Sequence, residues 1–493
     1  MSQTIVRLQG LELRNIKNVE FGKIEMPNSY QNERRYNNSE ILGLYGQNGS
    51  GKTAVIDTMY FLQKFMTGES IEKKLTDYIN MKKESAELKA SFIIFEDNIM
   101  YDVDYNICIG REKDNFAVIE KESLSCSKII EDKKINNKII FMEFKRDNRE
   151  DIFTPKKRLE ELLDENKEDK TDLIVAKKMA EKSNCSYIFG ANSREIFFKK
   201  YDGKFQQYSF IIKRLFEFAV KDLFVINNVH SGVISANIVL PMAFRIDSEN
   251  NGVKGDLPVS LLETTILDNE DLKILRNIIE EINTVLYTII PGLRIEIKEY
   301  GSQLMDNGEE GYKIELMSSR EGMPSYPIRM ESEGIIKIIS ILNALIQAFS
   351  DSSICLAIDE LDAGIFEYIL GELLQIFDES AKGQLIFTSH NLRALEMLEK
   401  ESIMFSTTNS SNQYIHMKNI KQSNNLRDVY LRSITLGGQK EEIYKETSSL
   451  KIARAFRKAG RCVKNNEWEK SNIIYSRRSE WSSSIRTYYG RVF

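Results

Sequence analysis

The chain has 493 residues, 42% of them hydrophobic, and a formal charge of −5, enough apolar content for one large domain with insertions or roughly two to four average ones. With so small a net charge, whole-chain electrostatics does not announce a nucleic-acid binder. Five scattered cysteines without a C-x-x-C pair argue against a disulfide framework and a zinc knuckle, and three histidines exclude a His-rich metal cluster.

In chain order, Val6, Leu8, Leu11 and Leu13 are spaced like strand positions, and a turn is predicted at Asn15–Asn18. Ile41–Tyr45 is a short apolar strand. GQNGSGKT at 46–53 follows, a full match to G-x-x-x-x-G-K-[ST], and 55–66 reads as its helix. Between Ala90 and Ile109 the β-rich runs SFIIFED and IMYDVDYNICI predict antiparallel strands flanking a nucleotide core. KKRLEELLDENKEDKTDLIVAKKMAEK, about 156–182, is charged with apolar residues three and four apart, and is expected as an inserted helical arm. Helices are expected at about 207–222 and 270–289, the second ended by Pro291-Gly292. A strand at 293–297 and a partner at about 312–317 follow. The last quarter alternates: helix 334–349, strand 354–358, helix 364–378, strand 384–388, helix 391–399. That pattern predicts α/β architecture with a parallel sheet. The opening MSQTIVRLQGLELRN lacks an apolar stretch of signal-peptide length, and Ile335–Phe349 carries Lys337, Asn343 and Gln347. A cytoplasmic protein without membrane contact is the expectation.

The chemistry concentrates in four places. In the first, Gly46, Asn48, Gly49, Ser50 and Gly51 form a loop whose backbone N–H groups can face a phosphate. Lys52 adds a cation for the outer phosphates and the Thr53 hydroxyl suits Mg²⁺. The cofactors implied are ATP and Mg²⁺. Ser353–Glu360 (SICLAIDE) is an apolar strand ending in two acids: Asp359 as the metal-side carboxylate, Glu360 to polarise the attacking water. Roughly three hundred residues separate the two halves, so a split ATPase is favoured over a Ras-like GTPase. Ser332 and Gly334 precede an apolar helix, where they serve either as an ordinary N-cap or as phosphate contacts. QLIFTSH ends in His390, positioned to touch a γ-phosphate or to play a structural part.

The order GQNGSGKT, MESEG, LAIDELDAG, FTSH resembles the ABC-type ATPase heads of the SMC and RecF group. It looks most similar to their stand-alone bacterial relatives, the OLD-related ATPases, many linked to phage defence. The resemblance covers roughly 1–65 and 315–400. It implies an ABC-type head with a mixed sheet, an antiparallel β flank and the inserted helical arm. The expected division is an N-terminal ATPase lobe at 1–150, an inserted helical region at 151–300, a C-terminal ATPase lobe at 301–430 and a basic extension at 431–493. Carried over by residue, Lys52 and Thr53 contact phosphate and Mg²⁺, Asp359 is the metal-side acid, and Glu360 the base. Asp362 lies in a loop crossing the dimer interface and His390 is the γ-phosphate switch. Ser332 and Gly334 reach the nucleotide held by a second subunit. ESEG stands where transporters carry a Gly-Gly pair, and no lobe-bridging Gln is placed. The resemblance further implies a homodimer or higher homo-oligomer closed by an ATP sandwich.

Neither a G-x-S-x-G nor a Toprim acidic set is recognised, so a nuclease or toxin effector is expected on a separate chain. Residues 445–493 hold twelve Lys or Arg against four Glu, with Trp468, Trp481, Tyr475, Tyr488 and Tyr489 interleaved. That composition suits nucleic acid, an acidic protein partner, or a helical cap built on Leu450, Ile452, Ala455 and Phe456. Two rivals therefore stand beside a defence ATPase. One is a RecF-like repair ATPase binding nucleic acid directly; the other is a non-turnover, ATP-bound scaffold that sequesters a toxin or nuclease.

Overall fold

The run Ile41–Tyr45, apolar and buried at every position, is the centre of the fold. A strand covered on both faces must be apolar throughout, the pattern of a parallel sheet between two layers. The computed structural model describes residues 4–465 except 31–37, 97–98, 113–115, 131–132, 149, 164–167, 200–202, 228–237, 247–252, 306–307 and 418–424. Its strands are β1 (Ile5–Ile16), β2 (Val19–Glu25), β3 (Glu40–Tyr45), β4 (Ser85–Glu96), β5 (Ile99–Arg111), β6 (Ala117–Ile130), β7 (Lys133–Lys134), β8 (Ile139–Lys145), β9 (Leu223–Ile226) and β10 (Val239–Ile246). They continue as β11 (Val253–Ser260), β12 (Thr265–Leu267), β13 (Leu293–Leu304), β14 (Glu310–Arg320), β15 (Tyr326–Pro327), β16 (Cys355–Ile358), β17 (Gln384–Thr388), β18 (Ile403–Ser406) and β19 (Tyr414–Ile415).

Six strands form the central sheet in the order β19-β18-β3-β17-β16-β9. All pairs are parallel except β18 with β19. Strand alternation sends its side chains into two separate cores. Leu42, Leu44, Cys355, Ala357, Ile386 and Met404 join one, with the N-terminal β flank and helix α1 (Lys52–Thr67). Ile41, Tyr45, Leu356, Ile358, Leu385 and Phe387 join the other, with the helices Asn269–Ile289, Glu333–Ser350 and Glu367–Ser380. The fold is thus mixed α/β. Its flank is the antiparallel sheet β2-β1-β4-β5-β6-β7, with β8 on β6. A third sheet, β12-β14-β13 with β15, leads into the helix Glu333–Ser350.

Several expectations change. The arm segment is helical at Lys156–Leu163 and Glu168–Ser183, but it is packed, with Leu162, Leu173, Ala176 and Ala180 buried in the first core. Its apolar positions, three and four apart, had a layer to cover. The region 151–300 is not purely helical: besides its helices it carries β9 to β12 and the start of β13, and β9 completes the central sheet. The expected helix at 391–399 shortens to Ala394–Met397 because Asn391 and Ser389 form side-chain turns, Asn391 N on Ser389 Oγ and Arg393 N on Asn391 Oδ1. By contacts the chain forms two compact units, 1–444 and 445–493. The expected boundary at 430/431 falls inside the helix Leu426–Leu436. In the second unit Ser449–Asn465 is helical. The expected aromatic stretch with Trp468, Tyr475, Trp481, Tyr488 and Tyr489 lies outside the described residues. Among the described residues one helix, Glu333–Ser350, is long and apolar enough to cross a membrane, and 61% of it is buried inside the fold.

Candidate functional site

Register builds the site. Ile358 pairs with Phe387, and Phe387 with Gly43, so the C-terminal ends of β16, β17 and β3 stand side by side. The residues that follow these ends are Asp359-Glu360, Ser389-His390 and the loop beginning at Gly46. Ligand sites of open α/β sheets form at such ends.

The loop curls as its glycines permit, with φ of 148° at Gly46, 77° at Gly49 and 88° at Gly51. A Cβ on Gly46 would lie 1.9 Å from Ser406 Oγ. Asn48 and Gly49 are exposed at the crest, while Lys52 opens α1 at 7% exposure. Lys52 Nζ donates to the carbonyls of Gly46 at 2.9 Å and Gln47 at 3.2 Å, spanning the loop. Four residues without motif status hold the loop from outside. Asn18 Nδ2 donates to Gly49 O at 2.6 Å, Gln413 Nε2 to Ser50 O at 2.7 Å and Tyr414 OH to Gly51 O at 2.6 Å, and Ser406 Oγ pairs with Ser50 Oγ.

Thr53 and Asp359, 306 residues apart in sequence, meet at 3.5 Å between Thr53 Oγ1 and Asp359 Oδ1. Asp359 is fully buried; its Oδ1 accepts from Thr388 Oγ1 at 2.5 Å, and its Oδ2 has no hydrogen-bond partner. A buried carboxylate oxygen left open beside a hydroxyl fits a hard cation. One carboxylate and one hydroxyl suit Mg²⁺, which keeps waters and phosphate oxygens in its remaining positions. Among the described residues no group of three or more His, Cys, Asp or Glu could hold a metal by itself.

Glu360 is exposed and adopts φ 50°, a left-handed conformation that costs a non-glycine residue about 1–2 kcal/mol. Thr388 fixes it there: Glu360 N donates to Thr388 Oγ1 at 2.8 Å and Leu361 N to Thr388 O at 3.0 Å. Thr388 therefore orients both acids. Its place at the tip of a parallel strand opposite Asp359 was the available signal. Thr388→Val is expected to raise the Mg²⁺ concentration needed for nucleotide binding by roughly 10–100-fold. Titration of Mg²⁺ at fixed ATP checks this; an unchanged midpoint removes Thr388 from the site.

Asp362 Oδ2 accepts from the His390 backbone N at 3.1 Å, tying the two strand-end loops together. Partial burial and the nearby Lys52 charge hold the His390 imidazole below its usual range, against Asp362, Glu360 and Asp359. That direction favours the neutral imidazole. Burial pushes the Lys52 ammonium down to about 8, opposed by Asp359, Glu360 and Asp362. The sign is direct: Lys52 is cationic below about pH 8 and loses its charge above it, so affinity for a phosphate ligand falls as pH rises. ATP affinity of the free protein is expected to drop several-fold between pH 7 and 9.5, since one pKa unit corresponds to about 1.4 kcal/mol. A binding isotherm flat across that range refutes a titrating Lys52.

Ser332 caps the helix Glu333–Ser350: its Oγ accepts from Ile335 N, and its side is exposed. Gly334 is buried, and a Cβ there would lie 1.9 Å from the Gly364 carbonyl oxygen. The Ser332 segment and the Asp362 loop thus interlock through two glycines. Lys337, further along that helix and 3% exposed, is pushed down by burial and pulled up by Asp359, Glu360 and Asp362. Its electrostatic coupling to the three acids of the site is one that no local pattern announced. At the end of β9, where the Asp359 N–H donates to Ile226 O at 2.9 Å, the chain carries buried Asn227, and no Gln occupies that place.

No family model and no curated protein matches this chain. Among solved structures it is similar to SMC head domains. One is an Smc head domain with an extended coiled coil from Pyrococcus furiosus, bound to the C-terminal domain of ScpA (12% identity, TM-score 0.38, 83% of this chain and 96% of that one). Another is the SMC head domain from Thermotoga maritima (11%, 0.33, 84% and 100%). A third is an Smc head domain with a coiled coil and joint from Pyrococcus yayanosii (12%, 0.39, 87% and 100%). At such identities and scores the likeness does not define an activity, and the site is read from its own geometry.

Proposed function

We propose that this protein is an ABC-type ATPase that binds and hydrolyses ATP and switches by nucleotide-dependent association of two copies. The observation that carries the reading is the meeting of Thr53 and Asp359 across the sheet, with one Asp359 oxygen buried and open, beside a phosphate loop capped by Lys52. Gly46, Asn48, Gly49, Ser50 and Gly51 would present backbone N–H groups to the phosphates, and Lys52 would pair the outer ones. Thr53 and Asp359 would hold Mg²⁺. A cation held by these two residues would supply charge neutralisation for the phosphates. Glu360 would take the proton of the attacking water, and His390, neutral, would donate toward the γ-phosphate. The exposed Ser332 cap, with Gly334 and Asp362 on the adjoining loop, would face the nucleotide carried by the second copy.

The four motifs resembling those of OLD-related ATPases motivate the wider role: the sensing component of an antiphage defence system acting with a separate effector. Sedimentation of the Glu360→Gln variant with and without Mg-ATP tests the switch. A nucleotide-dependent doubling of mass supports it; a mass indifferent to ATP sinks it. Co-purification from the native operon tests the effector, and a chain that emerges alone removes that part.

A further inference from the structure

The Ser332 cap is held by a carboxylate that has no part in the nucleotide site. Met330 and Ser332 are exposed, yet the Glu331 side chain between them is 4% exposed. Glu331 Oε1 accepts from Ser318 Oγ and from Tyr326 OH at 2.7 Å, and Oε2 accepts from Arg320 Nη2 at 3.0 Å. Arg320 Nη1 reaches the same Tyr326 hydroxyl at 2.7 Å. All these donors belong to β14 and β15 or lie at their ends. A second tie runs beside the first. Arg329 Nη1 donates to Glu315 Oε1 on β14, and Glu315 Oε2 accepts from Tyr300 OH at 2.6 Å. The short lead-in to the helix is thereby fastened to the sheet one residue before the cap.

A serine N-cap requires only its own hydroxyl. A buried carboxylate immediately before it is costly unless its lone pairs are filled, and here they are filled from one rigid sheet. We propose that Glu331 is a positioning residue for the Ser332–Gly334 segment. It fixes where the exposed serine hydroxyl and the first helical N–H groups stand, so that they meet the second copy's nucleotide without reordering. This rests on the association reading above. It assigns to Glu331 a part in joining two copies and none in holding ATP within one.

The test uses the full chain carrying Glu360→Gln, with the dissociation constant of the pair measured by sedimentation in Mg-ATP. Adding Glu331→Ala is expected to weaken association by about tenfold or more, the worth of a charge-assisted hydrogen-bond set. Affinity for a fluorescent ATP analogue at the phosphate loop should stay within about twofold, because Lys52 and Thr53 are untouched. Tyr326→Phe deletes one donor at a half-buried position and should weaken association by a smaller, few-fold factor, so the question stays open to test if Glu331→Ala does not fold. Association equal to the parent in both variants overturns the assignment. So does a loss of analogue binding in step with association, which marks a plain structural anchor. A Glu360→Gln parent that never associates overturns the association reading itself, and this assignment with it.

Discussion

Glu360→Gln is expected to lower steady-state ATP turnover by at least about a hundredfold while leaving ATP affinity nearly unchanged, the range a positioned general base contributes. The geometry separates the two effects. Binding is assigned to the loop around Lys52, whereas Glu360 stands exposed past the end of β16. The substitution preserves shape, and the Glu360 N–H keeps Thr388 Oγ1 as its acceptor, so the left-handed turn at φ 50° survives. Asp359, fully buried beneath it, retains its own bond from Thr388. The measurement is phosphate release at saturating Mg-ATP alongside a binding isotherm. Turnover within threefold of wild type would show that Glu360 does not activate water; a parallel loss of affinity would show that it belongs to the binding shell.

The largest stability effect is expected far from the site. Arg7 on β1 and Glu40 at the start of β3 are each 1% exposed and joined by two bonds, Arg7 Nε at 3.0 Å and Nη2 at 2.6 Å to Glu40 Oε2. Arg7 also donates to the carbonyls of Ser352 at 3.1 Å, Lys382 at 2.8 Å and Asn38 at 2.9 Å. Gln384 on β17 exchanges bonds with the Leu8 backbone and donates to Glu40 Oε2 at 2.9 Å. This cluster joins the antiparallel flank to the central sheet at the strand ends opposite the nucleotide site. Arg7→Met is expected to destabilise the fold by about 3–5 kcal/mol, because Glu40 stays buried without its cation and three carbonyls lose a donor. Arg7→Met with Glu40→Gln should recover only part of that, since the carbonyls remain unpaired. Denaturant midpoints check both variants. A loss below about 1 kcal/mol would mean that water enters and replaces the guanidinium.

These two regions differ in how far the chain announced them. GQNGSGKT and LAIDE were legible because each needs a local arrangement: glycines that turn left-handed and a buried strand that ends in acids. The alternation of helix and strand after residue 333 was legible for the same reason, as was the helix Asn269–Ile289, which buries Leu272, Leu275, Ile279, Ile282 and Leu286 at helical spacing. The first residue-level losses came where a short polar turn competes with a helix, as at Ser389 to Arg393.

What the sequence determined by itself is therefore the set of elements and the local chemistry at their ends, because period, glycine and charge act over a few residues. What only the tertiary structure decided is which ends share a site. Thr388 became an orienting residue because β17 lies between β3 and β16. Asn18, Gln413 and Tyr414 became props of the phosphate loop because β2 and β19 close around it. Arg7 became an anchor because segments hundreds of residues away supply its carbonyl partners, and Glu331 because the preceding hairpin folds back over it. Hydrogen bonds between residues hundreds of positions apart leave no period in the chain; they follow from strand order and register, which the packing of two cores on one sheet imposes.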